Sequence, residues 1–368
     1  MPDDEDGWLT PEQVRARHGE AFCRGLLTLV DERARRVRIV EECSVKGTVE
    51  WDYWNRLRAG GVVEGCRLEG TTLVMDARIG EGRAAFGPAA AALGAQALRR
   101  VEVVGEEVHT TWEGLAGAGY ALAVCLAQAP GVLRARVAAG GGVGGAHRAE
   151  VELVTPALRR LLVGIDDTDT REEGATWALG LRLGRAMPHG VFLEHRLVQL
   201  NPGVPQKTTN CVATALAFAV ARRDLDRAKA FALDFVRGAT RSDSTAVAFH
   251  EGLEVPGSVV LFGNRAKGEL LTWDEAKRIA KAAGVDLVSI TGERGHIGAL
   301  AAIGCFDMGP AAAALPSDLA RTGARARAGP ARAGRAGGAA PRANRARASR
   351  GPRPKVGRAA RPRRRASR

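Results

Sequence analysis

Short apolar runs rich in β-branched residues, separated by glycines and charged turns, dominate the first 155 positions. Runs at 26–30, 37–41, 73–77, 101–104 and 151–154 predict strands, and the Ala-rich stretches 89–98 and 115–128 predict helices. Ahead of them, Thr10-Pro11-Glu12-Gln13 has the form of a capping box with proline at the first helical position, which predicts a helix over 11–22. The glycines of 140–145 break the periodicity and predict a flexible hairpin or linker. They do not predict a phosphate loop, because the stretch that follows, 147–154, alternates like a strand.

From position 161 the pattern becomes an alternation of strands and helices. Strands are predicted at 161–165, 191–200, 245–249, 258–262 and 285–290. Helices are predicted at 176–186, from a cap at Thr209 or Asn210 through 221, and at 225–237. A further helix opens on the capping box Thr272-Trp273-Asp274-Glu275 and closes at Gly284, and a last one follows Gly298. The fold class expected is α+β: two α/β domains with mixed sheets, 1–155 and 156–315, and a disordered basic tail over 316–368.

Composition sharpens the last point. The chain has 368 residues, 45% hydrophobic and 26% charged, enough to bury a sizeable core. Its net charge of +13 is unevenly placed. Residues 321–368 carry 16 Arg and one Lys with no acid, so the remainder stands at −4 (13 minus 17). A tail of Arg, Ala, Gly and Pro cannot bury a core, and reads either as a polybasic arm for nucleic acid or as a solvated extension. Apolar runs such as 89–95 and 212–221 fall short of the roughly 20 residues a bilayer crossing needs, and residues 2–6 are acidic. A soluble, cytoplasmic protein with no membrane partner is expected. The six cysteines lack any CxxC spacing, which excludes a zinc finger or ribbon and points to reduced thiols.

Candidate chemistry concentrates in three loops. Gly164-Ile165-Asp166-Asp167-Thr168-Asp169-Thr170 follows an apolar strand. Three carboxylates in four residues repel one another unless a cation or solvent offsets them, and hard oxygens crowded in this way suit Mg²⁺. The plain alternative is a solvated acidic turn with an Asp cap. The segment 201–210 reads as a turn feeding a helix start, where Lys207, Thr208 and Thr209 would meet an anion; Gln206 in place of a glycine rules out a Walker A motif. Thr291-Gly292-Glu293-Arg294-Gly295-His296-Ile297-Gly298 is a glycine-rich turn between a strand and a helix. There Gly292, Gly295 and Gly298 allow close backbone approach and Arg294 offers donors to oxyanions. Metal, lysine and glycine–arginine loops in one domain are together what phosphoryl transfer requires. Trp177 reads as a base-stacking or core residue, His195 as structural, and Cys211 as a thiol near a helix start that would lower its pKa.

The segments Gly164-Ile165-Asp166-Asp167-Thr168-Asp169-Thr170, Gly174-Ala175-Thr176-Trp177, Val204-Pro205-Gln206-Lys207-Thr208-Thr209-Asn210-Cys211 and Ile297-Gly298-Ala299-Leu300-Ala301-Ala302-Ile303-Gly304 together resemble methanogenesis marker protein 11, over about 25–315. More distantly, over about 160–305, they resemble the kinase-like catalytic domain of archaeal tRNA-isoleucine agmatinylcytidine synthetase, which uses ATP and Mg²⁺ to activate a cytidine in tRNA. The resemblance implies that Asp166, Asp167 and Asp169 are the ATP and metal carboxylates and Lys207 a phosphate ligand, with Thr168 among the nucleotide-binding residues. The chain departs from the synthetase pattern in lacking a zinc ribbon and a following oligonucleotide-binding barrel, and in placing a domain of its own before the acidic loop. The reading is an ATP- and Mg-dependent phosphoryl- or adenylyl-transferring enzyme, a transferase or ligase acting in RNA or cofactor modification. Its partners would be a nucleotide and an RNA or small-molecule acceptor. The alternatives are a nucleotide-binding regulatory or assembly factor, and a nucleic-acid binder acting through its tail.

Overall fold

The computed structural model describes residues 7–138 and 142–322. Helix α1 (Pro11–His18) opens on the capping box expected: Gln13 N–H donates to Thr10 Oγ1 at 3.3 Å, and Thr10 N–H to Gln13 Oε1 at 2.7 Å. Strands β1 (Cys23–Asp31) and β2 (Arg36–Cys43) form a hairpin, followed by α2 (Lys46–Ala59), β3 (Val63–Glu69), β4 (Thr72–Arg78) and the short β5 (Gly80–Glu81). Next come β6 (Gln96–Val104), β7 (Glu107–Leu115), the single turn α3 (Gly117–Tyr120), a π-helical turn at Ala121–Leu126 and β8 (Arg134–Val137). The helix expected over 89–98 is instead turns running into β6. Its Ala97, Leu98 and Val101 are fully buried, so tertiary packing overrides the helix propensity of the alanines.

Strand β9 (Arg148–Asp166) is 19 residues long and organises the molecule. Its first part pairs antiparallel with β7 and β8, and Ala157 and Leu158 run parallel to Thr28 and Leu29 of β1. Its second part pairs antiparallel with the next strands over residues 158–166. Among the named strands the one parallel pairing, of β1 with β9, joins β3-β4-β2-β1 to β9-β7-β6-β5, giving one curled mixed sheet in an α/β protein. The expected boundary at 155/156 falls inside β9. A core of residues up to Ala157 packs on one side of it, and two cores built from Leu161 onward pack on the other.

After β9 follow α4 (Thr176–Ala186), β10 (Val191–Gln199), β11 (Val212–Ala221), α5 (Leu225–Ala239), β12 (Ala246–Glu251), α6 (Gly257–Ala266), α7 (Trp273–Ala283), β13 (Asp286–Ser289), α8 (His296–Cys305) and α9 (Pro316–Thr322). The strands lie in the order β10-β11-β9-β12-β13. Alternation along β9 sorts two layers: Leu161, Val163 and Ile165 pack against α4 and α5, while Leu162 packs with α6, α7 and α8. On β11 the α8 side is Ala213, Ala215 and Ala217, and the opposite side is Leu216, Phe218 and Val220. Small residues let α8 lie close against the sheet. A Cβ on Gly164 would overlap the Ala299 carbonyl.

Three sequence expectations are corrected here. Residues 212–221 form a strand, not a helix, because both faces of the segment are covered by helices and an Ala-rich run there meets the sheet. Residues 258–262 lie in helix α6 rather than a strand. The tail expected from 316 begins with the short helix α9; its remainder, 323–368, and residues 139–141 of the glycine segment lie outside the described residues. Among the described residues no helix is long and apolar enough to cross a membrane, and the six cysteines are free thiols.

Candidate functional site

The end of β9 is shaped by α8. Asp166 lies on the face that α8 covers, and a Cβ on Gly298 would overlap its carboxylate; one on Gly295 would crowd the Asp166 carbonyl. The two glycines therefore admit the helix start directly onto the acid. Beyond Asp166 the chain turns sharply, with Asp167 at φ +59°, a left-handed conformation uncommon for a residue other than glycine.

That turn is held from several sides. Asp167 accepts a bidentate pair from Arg294, Nε to Oδ2 at 2.5 Å and Nη2 to Oδ1 at 3.1 Å, and a third bond from Ser242 Oγ at 2.6 Å. Its carbonyl accepts from Thr245 Oγ1. Thr168 is buried, and its N–H and hydroxyl both donate to Thr176 Oγ1, which in turn donates to Asp169 Oδ1 at 2.9 Å. Gly174, at φ +94°, folds the chain back against Asp169. The acidic loop is thus pinned by Thr176, Ser242 and Arg294 and is not a loose solvated turn.

Its electrostatics are unbalanced. Burial, and then Asp167 and Asp169, push the Asp166 carboxyl up to about 8, although Arg294 and a backbone N–H pull the other way. Arg294 is raised further by its bond to Asp167.

A cavity of about 490 Å³ opens on these groups. Asp166, Asp167 and Asp169 line one part of it, Arg294 and Gly298 a second, and Lys207 and Thr208 of the β10–β11 loop a third. The three loops picked out in the sequence therefore converge although 128 positions (294 minus 166) separate the first from the last. Thr209 and Gly292 do not line it; Gly292 packs against the Asp243–Ser244 backbone, and Gly295 against Ala246, Ser244 and Asp166. Lys207 is placed differently from expectation. The loop leads into strand β11, so no helix start stands behind it, and its ammonium donates to the Pro202 carbonyl. Cys211 is corrected for the same reason: burial and then Asp166 push its thiol up to about 11.

The remaining wall escaped the sequence reading. Leu270 and Trp273, 67% and 46% exposed, border the cavity together with Leu271, Thr272 and Asp274, at the start of α7. The capping box at Thr272 marks that helix start, but nothing local indicates what it faces. Trp177, by contrast, is 48% exposed and lies outside the cavity lining. His195 bonds to Thr214, and burial lowers its pKa, as suits a structural residue.

Residues 162–228 match the family model described as the TiaS TCKD domain. The chain is 34% identical over 299 residues to the uncharacterized protein MJ0921 of Methanocaldococcus jannaschii, covering 80% of this chain and 98% of that protein. It is 37% identical over 152 residues to the tRNA 2-agmatinylcytidine synthetase TiaS of Pyrococcus horikoshii, covering 39% of this chain and 35% of the synthetase. The synthetase of Thermococcus sibiricus is 33% identical over 152 residues, with 39% and 35% covered. Among solved structures, the complex of TiaS with its tRNA and ATP matches at 26% identity and a TM-score of 0.37, over 40% of this chain and 36% of that one. The chain spans about a third of the length of the synthetases it matches.

Proposed function

The chain belongs to the family of the uncharacterized Methanocaldococcus jannaschii protein, and from that premise we propose that it is an ATP- and Mg²⁺-dependent enzyme that phosphorylates or adenylates an RNA acceptor in tRNA modification. We further propose that its family is that of methanogenesis marker protein 11. One observation carries the enzyme reading: a single cavity with three carboxylates on one part of its wall and Arg294 and Lys207 on others. That division of charge suits a nucleotide polyphosphate and its counter-ion. Support for ATP and RNA comes from the synthetase homologues, which act on tRNA and have been solved with tRNA and ATP and with tRNA, AMPCPP and agmatine.

The donor set fits Mg²⁺. Asp166, whose carboxyl burial and then Asp167 raise, borders the cavity together with Asp169, which has one oxygen bonded to Thr176. Asp166 and Asp169 would hold the ion, and Asp167 would join them to the extent that Arg294 releases it. When bound, the ion would neutralise charge on the polyphosphate. The chain's own contribution is positioning. Arg294, drawn from Asp167 toward an incoming phosphate, would offer a planar fork of donors, and Lys207 a mobile point charge. Leu270 and Trp273 give an apolar surface on which a base could stack.

Calorimetry of ATP binding with and without Mg²⁺, followed by an ATP-consumption assay with bulk tRNA, tests the reading. Mg²⁺-dependent binding and RNA-stimulated turnover are expected; no nucleotide binding at millimolar ATP and Mg²⁺ would overturn it.

A further inference from the structure

A second cluster of chemistry lies in the N-terminal half, away from the cavity. The pairing of β1 with β2 sets Cys23 directly opposite Cys43, and the period of the strand turns Glu41, two positions earlier, to the same side. The two sulfurs and one carboxylate oxygen lie within 4.8 Å of one another, the only such grouping of metal-ligating side chains among the described residues. All three residues are buried, at 6%, 2% and 2% exposure.

The surroundings orient Glu41. Arg56 Nη1 donates to its Oε2 at 2.5 Å and Nη2 donates to Asp52 Oδ2 at 3.1 Å, while the guanidinium Nε donates to Gln96. Oε1 is left facing the sulfurs, with the Cys43 thiol at 3.5 Å as its donor. The Cys23 thiol faces the Cys43 sulfur and has the Gly25 and Glu42 carbonyls at 3.7 and 3.6 Å. Thiols are weak donors, so a buried carboxylate oxygen with only a sulfur partner is poorly satisfied. An ion among the three atoms would satisfy it.

We propose that Cys23, Cys43 and Glu41 bind one thiophilic divalent cation, with zinc the ion whose preference for sulfur and oxygen donors in a tetrahedron they meet. Binding replaces two thiol protons with one Zn²⁺, two positive charges for two, so the buried charge is unchanged and both protons leave to solvent. Arg56 keeps its bond to Oε2 and holds the carboxylate in place from behind, as outer-shell partners do. Three ligands leave one tetrahedral position to a small exogenous donor. Because the residues are enclosed, the ion would enter as the strands pair, tying the β1–β2 hairpin together during folding.

The full chain refolded with zinc and then desalted should hold about one ion per molecule by plasma mass spectrometry. Refolded with Co²⁺, it should show intense sulfur-to-cobalt charge-transfer absorption. Cys23→Ser and Cys43→Ser should each weaken zinc more than about 100-fold, beyond the loss typical of an outer-shell partner, whereas Cys66→Ser should bind as wild type. If the serine variants fail to fold, the wild-type cobalt spectrum decides, and absence of the sulfur bands overturns the proposal. So does a wild type that retains less than about a tenth of an equivalent of zinc, a Cys23→Ser/Cys43→Ser double variant that keeps the full equivalent, or a Cys23–Cys43 disulfide in the purified protein.

Discussion

Asp52 in the N-terminal half and Asp166 in the C-terminal half are both carboxyls that burial pushes up, to about 7 and about 8, yet their neighbours differ. Asp52 shares a closed cluster with Glu41, and one guanidinium, that of Arg56, bonds to both acids. Asp166 stands beside two further aspartates, the nearby Arg294 is already committed to Asp167, and the whole group borders a cavity. The first cluster is enclosed around its own guanidinium, with one Glu41 oxygen left to the sulfurs beside it, while the second lines a cavity open to a larger ligand. Burial of acid therefore does not by itself mark a nucleotide site. Acids that border room for a large ligand do.

The contrast breaks most visibly at Arg56. Arg56→Leu would leave Glu41 and Asp52 buried without their cation, and stability should fall by about 3–5 kcal/mol in urea unfolding. A loss under about 1 kcal/mol would mean that this cluster is open too. At the other cluster the large effect should be on turnover: Asp167→Asn is expected to slow ATP consumption about 10²–10³-fold. Asp167 is largely buried and accepts bonds from Arg294 and Ser242, so stability should also fall, by about 1–3 kcal/mol in thermal unfolding.

The pH response sharpens the comparison further. The folded-state value of Asp166 lies above that of an unfolded chain, near 4. Its contribution to stability is therefore complete below pH 4 and is lost as pH rises through about 8. Asp166→Asn should exceed wild type at pH 8 by up to about 5 kcal/mol and nearly match it at pH 4. Added Mg²⁺ should raise the wild-type melting temperature at pH 8, leave Asp166→Asn unchanged, and act on Asp52→Asn as on wild type. Mg²⁺ stabilisation that vanishes in Asp52→Asn would reverse the assignment of open and closed clusters. The smallest effect is expected at Thr176→Ala, about 1 kcal/mol by thermal unfolding, since three hydrogen bonds to the acidic loop pass through one hydroxyl.

What the sequence disclosed follows from where information is local. The acidic loop and its strand were legible because charge at the end of an apolar run has few explanations, and α1 and α7 because caps are written in four residues. Strand β11 was misread although its signal was present: Ala213-Thr214-Ala215-Leu216-Ala217-Phe218 alternates small with large at period two, a mark of two differently packed faces. Alanine's helix propensity hid it. Helix α6 was too short for its period to separate from that of a strand. The pairing of Cys23 with Cys43 and the approach of Leu270 and Trp273 to the cavity depend on register and on tertiary packing, which no spacing along the chain encodes.

Strand β9 has a consequence for how such a protein can be inherited. The segment matched by the TiaS TCKD model begins at residue 162, within the last five residues of that strand. Excised there, it would lose residues 158–161, which pair with Phe218–Ala221 of β11, while the N-terminal half would keep the residues that pair with β1, β7 and β8. The synthetases match this chain over 152 residues, so the seam between the shared and unshared parts runs through one continuous strand, and a change along 158–161 is expected to be felt on both sides of it.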